Sequence, residues 1–256
     1  MSHRDALTAF FRAGIAAASA PAALADRLPR GTPRGRTLVL GCGKAAAAMA
    51  EVAAARLAGE VTGCVVTRYG HGARGPTGGI AVIEASHPVP DAASLAAGAR
   101  IRSLAATARP GDRVVFLVSG GGSALLCAPI PGLDLAEKAR ITRHLVRSGA
   151  PIAAINLVRR HLSQVKGGRL AAAAAGAADD MHSLLISDVT GDDPAAIASG
   201  PSIASPFEPE RALAVLAAYD WPVSPALARA VTGWHGAVAP AHPVEIVATG
   251  RTALDA

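Results

Sequence analysis

Three short, almost wholly apolar runs of this chain each end in a glycine-bearing polar loop. Thr37–Leu40 enters Gly41-Cys-Gly-Lys44, Arg113–Val118 enters Ser119-Gly-Gly-Gly-Ser123, and His182–Ile186 enters Ser187-Asp-Val-Thr-Gly-Asp-Asp193. Apolar runs without polar alternation have both faces covered, as strands inside a parallel sheet do. Gly63–Thr67, Ala81–Glu84 and Val244–Ala248 read as further strands. Segments with helical spacing lie between them, at about 46–57, 90–108, 135–148, 151–162, 208–219 and 224–232, with an Ala-rich helix after Lys166-Gly-Gly. The alternation predicts an α/β chain with a doubly wound, mostly parallel, Rossmann-like sheet and helices on both faces. Aromatics make up only 3% of the chain against 51% apolar residues, so Ala, Val, Leu and Ile must build the core.

Residues 1–30 read as a helical lead-in broken at Pro21, and 1–256 as one N-terminal α/β domain. After the last strand, Thr249-Gly-Arg-Thr opens a new helix. Residues 236–256 are therefore expected to begin a link to a C-terminal domain that this sequence lacks. The uncharged stretch Val114–Leu133 has membrane-spanning length, but Ser119–Ser123 and two prolines mark it as strand and loop. The three cysteines form no CxxC pair and read as reduced, buried thiols; Arg4, Asp5 and Arg12 precede any long apolar run. A cytoplasmic chain without a membrane partner is expected. The charge of +6 is scattered, and stacking aromatics are scarce, which argues against nucleic acid and fits small charged substrates. Oligomeric state stays open, a homodimer included.

Of 25 basic residues only Lys44, Lys138 and Lys166 are lysines. Two of them abut glycines, where a compact, movable ammonium is useful; Lys138, beside Glu137 on an amphipathic helix, reads as a surface charge. Gly41-Cys-Gly43-Lys44-Ala-Ala46 fits either a tight strand-to-helix turn or the relaxed dinucleotide fingerprint G-x-G-x-x-A, but lacks Walker A spacing. Ser119, Gly120, Gly121, Gly122 and Ser123 are more specific. Successive glycines let backbone N–H groups face one concavity suited to phosphate oxygens, with the two serine hydroxyls as added donors. Asp188, Asp192 and Asp193 can hold magnesium, accept a proton or cap a turn; Asp188 stands nearest the strand end. Arg159, Arg160, His161, Ser163, Lys166 and Arg169 form either a solvated basic face or a carboxylate or phosphate site. His87 is a turn-fixing or a catalytic histidine.

Together the stretches GCGKAAAAMA, GCVVTRYGHG, EASHPVPD, VSGGGSALL, NLVRRHLSQVKGGRLA and LISDVTGDDPAAIASGPS resemble the glycerate 2-kinase family, whose members were often labelled hydroxypyruvate reductases. They run in order from about residue 37 to 202. The resemblance implies ATP- and Mg2+-dependent phosphorylation of the 2-hydroxyl of D-glycerate, giving 2-phosphoglycerate. It makes Lys44 the catalytic cation and Asp188 the acidic catalytic or metal-linked residue, with Asp192 as a further metal ligand. Gly41, Gly43 and the Ser119–Ser123 loop would hold the cofactor, and Lys166 and Gly167 would help shape the cleft. It also implies a C-terminal domain that completes the site. The rival is an NADP-dependent hydroxypyruvate reductase, with Arg68 after the second strand placed to meet a 2′-phosphate.

Overall fold

The structure, a computed structural model, describes residues 2–256. Two helices lead in, α1 (His3–Ala17) and α2 (Ala20–Leu24), followed by β1 (Thr37–Cys42), α3 (Ala46–Arg56), β2 (Val61–Arg68), β3 (Gly79–Ala85), α4 (Ala92–Ala105) and β4 (Arg113–Ser119). Four helices then intervene before the next strand: α5 (Gly122–Leu125), α6 (Leu135–Arg147), α7 (Ile152–His161) and α8 (Arg169–Ala173). The chain closes with β5 (Met181–Ile186), α9 (Pro209–Ala218), α10 (Pro225–Gly233), β6 (Val244–Ala248) and α11 (Gly250–Leu254).

The six strands pair in the order β3-β2-β1-β4-β5-β6, all parallel. This is the doubly wound arrangement that the apolar runs predicted. Period-2 alternation sends Leu38, Leu40, Val114, Phe116 and Val118 to one core and Val39, Val115 and Leu117 to the other, which explains why the runs are apolar throughout. His3–Leu24 is long and apolar enough to cross a membrane, with mean hydropathy 1.3. It is interrupted between α1 and α2, and Ala20, Ala23 and Leu24 are buried in the folded chain.

A third core does not belong to the sheet. Ile141 and Leu145 of α6, Ile155 and Val158 of α7, Ala212 and Leu216 of α9, and Leu227 and Val231 of α10 pack on one another. Two insertions, one on each side of β5, thus build a helical cap. The Ala-rich helix expected after Lys166-Gly-Gly spans only Arg169–Ala173 before the chain tightens into a 3-10 segment.

Candidate active site

The strand order reverses between β1 and β4, and a crevice opens there beyond the carboxyl ends of the strands. Loops after β1, β3, β4 and β5 meet in it. Lys44 Nζ lies 4.0 Å from Asp188 Oδ2. Both side chains are about half exposed, at 43% and 55%, so their attraction adds at most about 1 kcal/mol to stability. Asp188 rests on the backbone of Gly120, where any Cβ would overlap its carboxylate. Gly121 has φ +82°, and a Cβ on it would stand 3.0 Å from Lys44 Cε and 3.1 Å from the His87 ring. Gly121, His87, Ser123 and Asp188 line a cleft of about 190 Å³, and Ile152, Asn156 and Arg159 of the cap line it too.

The two glycine turns differ in what their amides do. In the first, the Gly43 N–H donates to Val66 O (3.0 Å), that of Lys44 to Gly120 O (2.9 Å) and that of Ala45 to Ser119 Oγ (3.0 Å). These three donors are spent inside the fold, and a Cβ on Gly41 would overlap Leu117 O, so the glycines here let neighbouring strands approach. In the second, no oxygen among the described residues accepts from the amides of Gly121, Gly122 or Ser123. Free donors in succession are what an anion requires. The serine hydroxyls differ: Ser119 keeps its donor, while that of Ser123 is spent on Ser199. Ser119 Oγ accepts from Ala45, and Ser123 Oγ pairs with Ser199 Oγ at 2.8 Å.

Sequence reasoning missed the segment that supports this loop. Ala198 (φ 52°) and Ser199 (φ 63°) both adopt left-handed backbone, followed by Gly200 (φ 62°). Each such non-glycine residue costs about 1–3 kcal/mol. The three successive carbonyls are each met by a donor from the Lys166 turn. Lys166 Nζ reaches Ala198 O (3.4 Å), Gly167 N–H reaches Ser199 O (3.1 Å), and Gly168 N–H reaches Gly200 O (2.8 Å). Ser199 Oγ also donates to Asn156 Oδ1 (3.2 Å), linking the glycine loop to α7. Lys166 and Gly167 therefore brace the site from behind. Lys166 is fully buried and is not among the cleft-lining residues.

Lys138 requires a correction. It is 4% exposed, because it shares the inward stripe of α6 with Ile141 and Leu145, and its Nζ has no oxygen partner, only the Cys127 thiol beside it. The basic stretch 159–169 is likewise not a solvated face: its arginines are part-buried, and His161, Ser163 and Lys166 are buried. Burial, and then the nearby Lys138 charge, pulls the Lys166 ammonium down to about 7 from its ordinary 10.5. Burial also lowers Lys138. In the unfolded chain Lys166 keeps its proton to about 10.5, so between pH 7 and that limit the unfolded state binds more protons. Stability must then rise with pH, by at most about 1.4 kcal/mol per unit for each lysine. Above pH 9 Cys42 opposes this, since burial raises its thiol to about 12. Urea midpoints are expected to climb from pH 7 to 9, and Lys166→Met is expected to reduce that slope.

His87 is held below its usual range, first by burial and then by Lys44 and Arg68, with Asp188 acting the other way. It is the neutral imidazole among the cleft-lining residues at pH 7. Asp192 (φ 52°) does not line the cleft, and Asp193 Oδ1 accepts from the Ala195 N–H, a turn-capping bond. No group of three or more His, Cys, Asp and Glu side chains suited to a metal ion occurs among the described residues. A lone Asp188 suits a magnesium ion shared with ligand phosphates better than an all-protein cage.

Residues 6–232 match the family described as a domain of unknown function, DUF4147. The chain belongs to that family. An Agrobacterium vitis protein with a provisional hydroxypyruvate reductase name is 47% identical over 90% of this chain and 52% of its own length. The D-glycerate 2-kinase of Thermotoga maritima is 42% identical over 77% of this chain and 46% of its own length. The crystal structure of glycerate kinase from Thermotoga maritima superposes with a TM-score of 0.85 at 36% identity, covering 96% of this chain and 59% of that one. This DUF4147 chain thus spans about half the length of the curated relatives it matches.

Proposed function

We propose that the chain forms the sheet side of the catalytic site of an ATP-dependent kinase that phosphorylates the 2-hydroxyl of D-glycerate to 2-phosphoglycerate. The observation that carries this reading is the meeting of Lys44, Asp188 and the free amides of Gly121–Ser123 at one crevice. Phosphoryl transfer needs no covalent nucleophile; it needs positioning and neutralisation of charge on the phosphate oxygens. Free loop amides cradle those oxygens, and Lys44 adds a mobile positive charge. Asp188 would hold a magnesium ion brought with the nucleotide, which would supply charge neutralisation between the phosphates. His87, kept neutral, accepts the proton of the acceptor hydroxyl.

The glycerate kinase names of the Thermotoga maritima relative and its crystal structure also support the kinase. A volume of about 190 Å³ equals roughly six water molecules, enough for a three-carbon acid. The reductase reading has two points in its favour: the name of the Agrobacterium vitis relative, and Arg68, which ends β2 beside the first glycine turn and lies near His87. A dinucleotide pyrophosphate, however, would need amides in that turn, and those of Gly43, Lys44 and Ala45 are occupied.

The test pairs a coupled assay of D-glycerate, ATP and magnesium with an NADPH–hydroxypyruvate assay. Both use the chain and any longer natural gene product that contains it. Glycerate-dependent ATP turnover is the expected result. NADPH oxidation without ATP use would transfer the assignment to the reductase.

A further inference from the structure

Two of the chain's three lysines and one arginine of α7 are gathered behind the cap side of the cleft. Lys138 Nζ has only the Cys127 thiol beside it, Arg159 bonds only to Asn156 Oδ1 at 3.4 Å, and Lys166 Nζ bonds only to the carbonyls of Leu126 and Ala198. None of the three has a carboxylate at ion-pair distance among the described residues. Each acts on its neighbours: Arg159 lowers both lysines, and Lys138 lowers Lys166.

Burying cations without anions costs several kcal/mol per charge. A lysine can escape that cost by giving up its proton. An arginine cannot, because its guanidinium stays protonated throughout the working range of proteins. Arg159 therefore carries a permanent, largely desolvated positive charge, and it is the member of the group that lines the cleft. The cleft is the route by which a counter-ion can reach it.

We propose that Arg159 binds the carboxylate of the acceptor substrate, so that the cap side of the cleft grips the acid while the sheet side performs the transfer. A carboxylate matches the planar fork of a guanidinium through two parallel N–H···O bonds. A phosphate shares that chemistry, but the free amides of Gly121–Ser123 and Lys44 already serve phosphate oxygens. The cleft also has the volume of a small acid. Asn156, held by Ser199, orients Arg159 from the same helix. Lys138 lies behind the cleft and does not line it. The inference rests on the kinase reading of the same cleft.

The experiment titrates D-glycerate and its neutral amide, glyceramide, into the protein by calorimetry, with ATP and inorganic phosphate as separate titrants. The unaltered protein is expected to prefer glycerate over glyceramide by about 10–100-fold, the worth of a paired charged hydrogen bond. Arg159→Gln is expected to erase that preference while leaving ATP affinity within about twofold. Arg159→Lys, which keeps the charge but loses the fork, is expected to retain part of it and guards against misfolding of the first variant. An unchanged glycerate preference in Arg159→Gln overturns the inference. So does a loss confined to ATP or inorganic phosphate, and so does the absence of carboxylate binding by the unaltered protein. Arg159-dependent carboxylate binding without ATP turnover would uphold this inference and sink the kinase; turnover with Arg159-independent binding would do the reverse.

Discussion

Lys44→Ala is expected to lower glycerate-dependent ATP turnover by about 10²–10³-fold, the usual cost of removing one group aimed at developing transition-state charge. Stability should hardly change. The Lys44 side chain is 43% exposed and its contact with Asp188 is long, so the variant loses little that the folded state needs. The backbone of Lys44 remains bonded to Gly120 O, which keeps the turn in place whatever side chain it carries. Steady-state kinetics together with a thermal unfolding scan separate the two effects. Near-normal turnover would remove Lys44 from the mechanism, and a collapse in melting temperature would reassign it to the fold.

Gly43→Ala is expected to have the opposite profile, costing about 3 kcal/mol of folding stability. Gly43 has φ +128°, and a Cβ there would overlap both Oγ and the carbonyl oxygen of Ser119. The obstacle is backbone at the end of a buried strand, so it cannot swing aside as a surface side chain would. Gly31→Ala is the control. It also replaces a positive-φ glycine (φ +76°), but nothing stands within 4 Å of the new carbon. That variant should lose only about 1 kcal/mol. Equal urea midpoints for the two variants would show that the close approach of β1 and β4 at Gly43 is not what limits substitution there.

Much of the sheet was legible in the sequence because its strands are covered on both faces. Leu38–Leu40 and Val114–Val118 declare themselves by unbroken apolar composition, and each polar loop that follows has to lie at a carboxyl edge. The meeting of Lys44, Ser119–Gly122 and Asp188 follows once β1, β4 and β5 are adjacent. Strand order alone cannot say which amides point inward. The loops Gly41–Ala46 and Ser119–Ser123 look alike as sequence, yet one spends its donors on the fold and the other leaves them free. That difference depends on the register between β1 and β4.

The cap was harder to read. Its helices α6 and α7 carry several arginines, so their composition suggests solvent exposure. The stripe through Lys138, Ile141 and Leu145 was visible only as amphipathic spacing, and a lysine on such a stripe is ordinarily assigned to its edge. Long aliphatic stems let Lys138 and Arg159 enter a packed interior, and the sequence gives no sign of which cations do so. The left-handed pair Ala198–Ser199 has no sequence signature either, since neither residue favours positive φ. Its stability comes from donors some thirty positions earlier in the chain.

That last arrangement limits what protein engineers can exchange. The cap has its own apolar interior and looks like a detachable specificity module. However, the Lys166 turn is fastened carbonyl by carbonyl to residues 198–200, and Asn156 is tied through Ser199 to the glycine loop. A graft that moved α6 and α7 alone would carry Asn156 away from Ser199 and cut the tie between the cap and the glycine loop. Recombination between relatives should therefore succeed when its crossover points keep 156–168 and 198–200 together, and fail when they fall between the two.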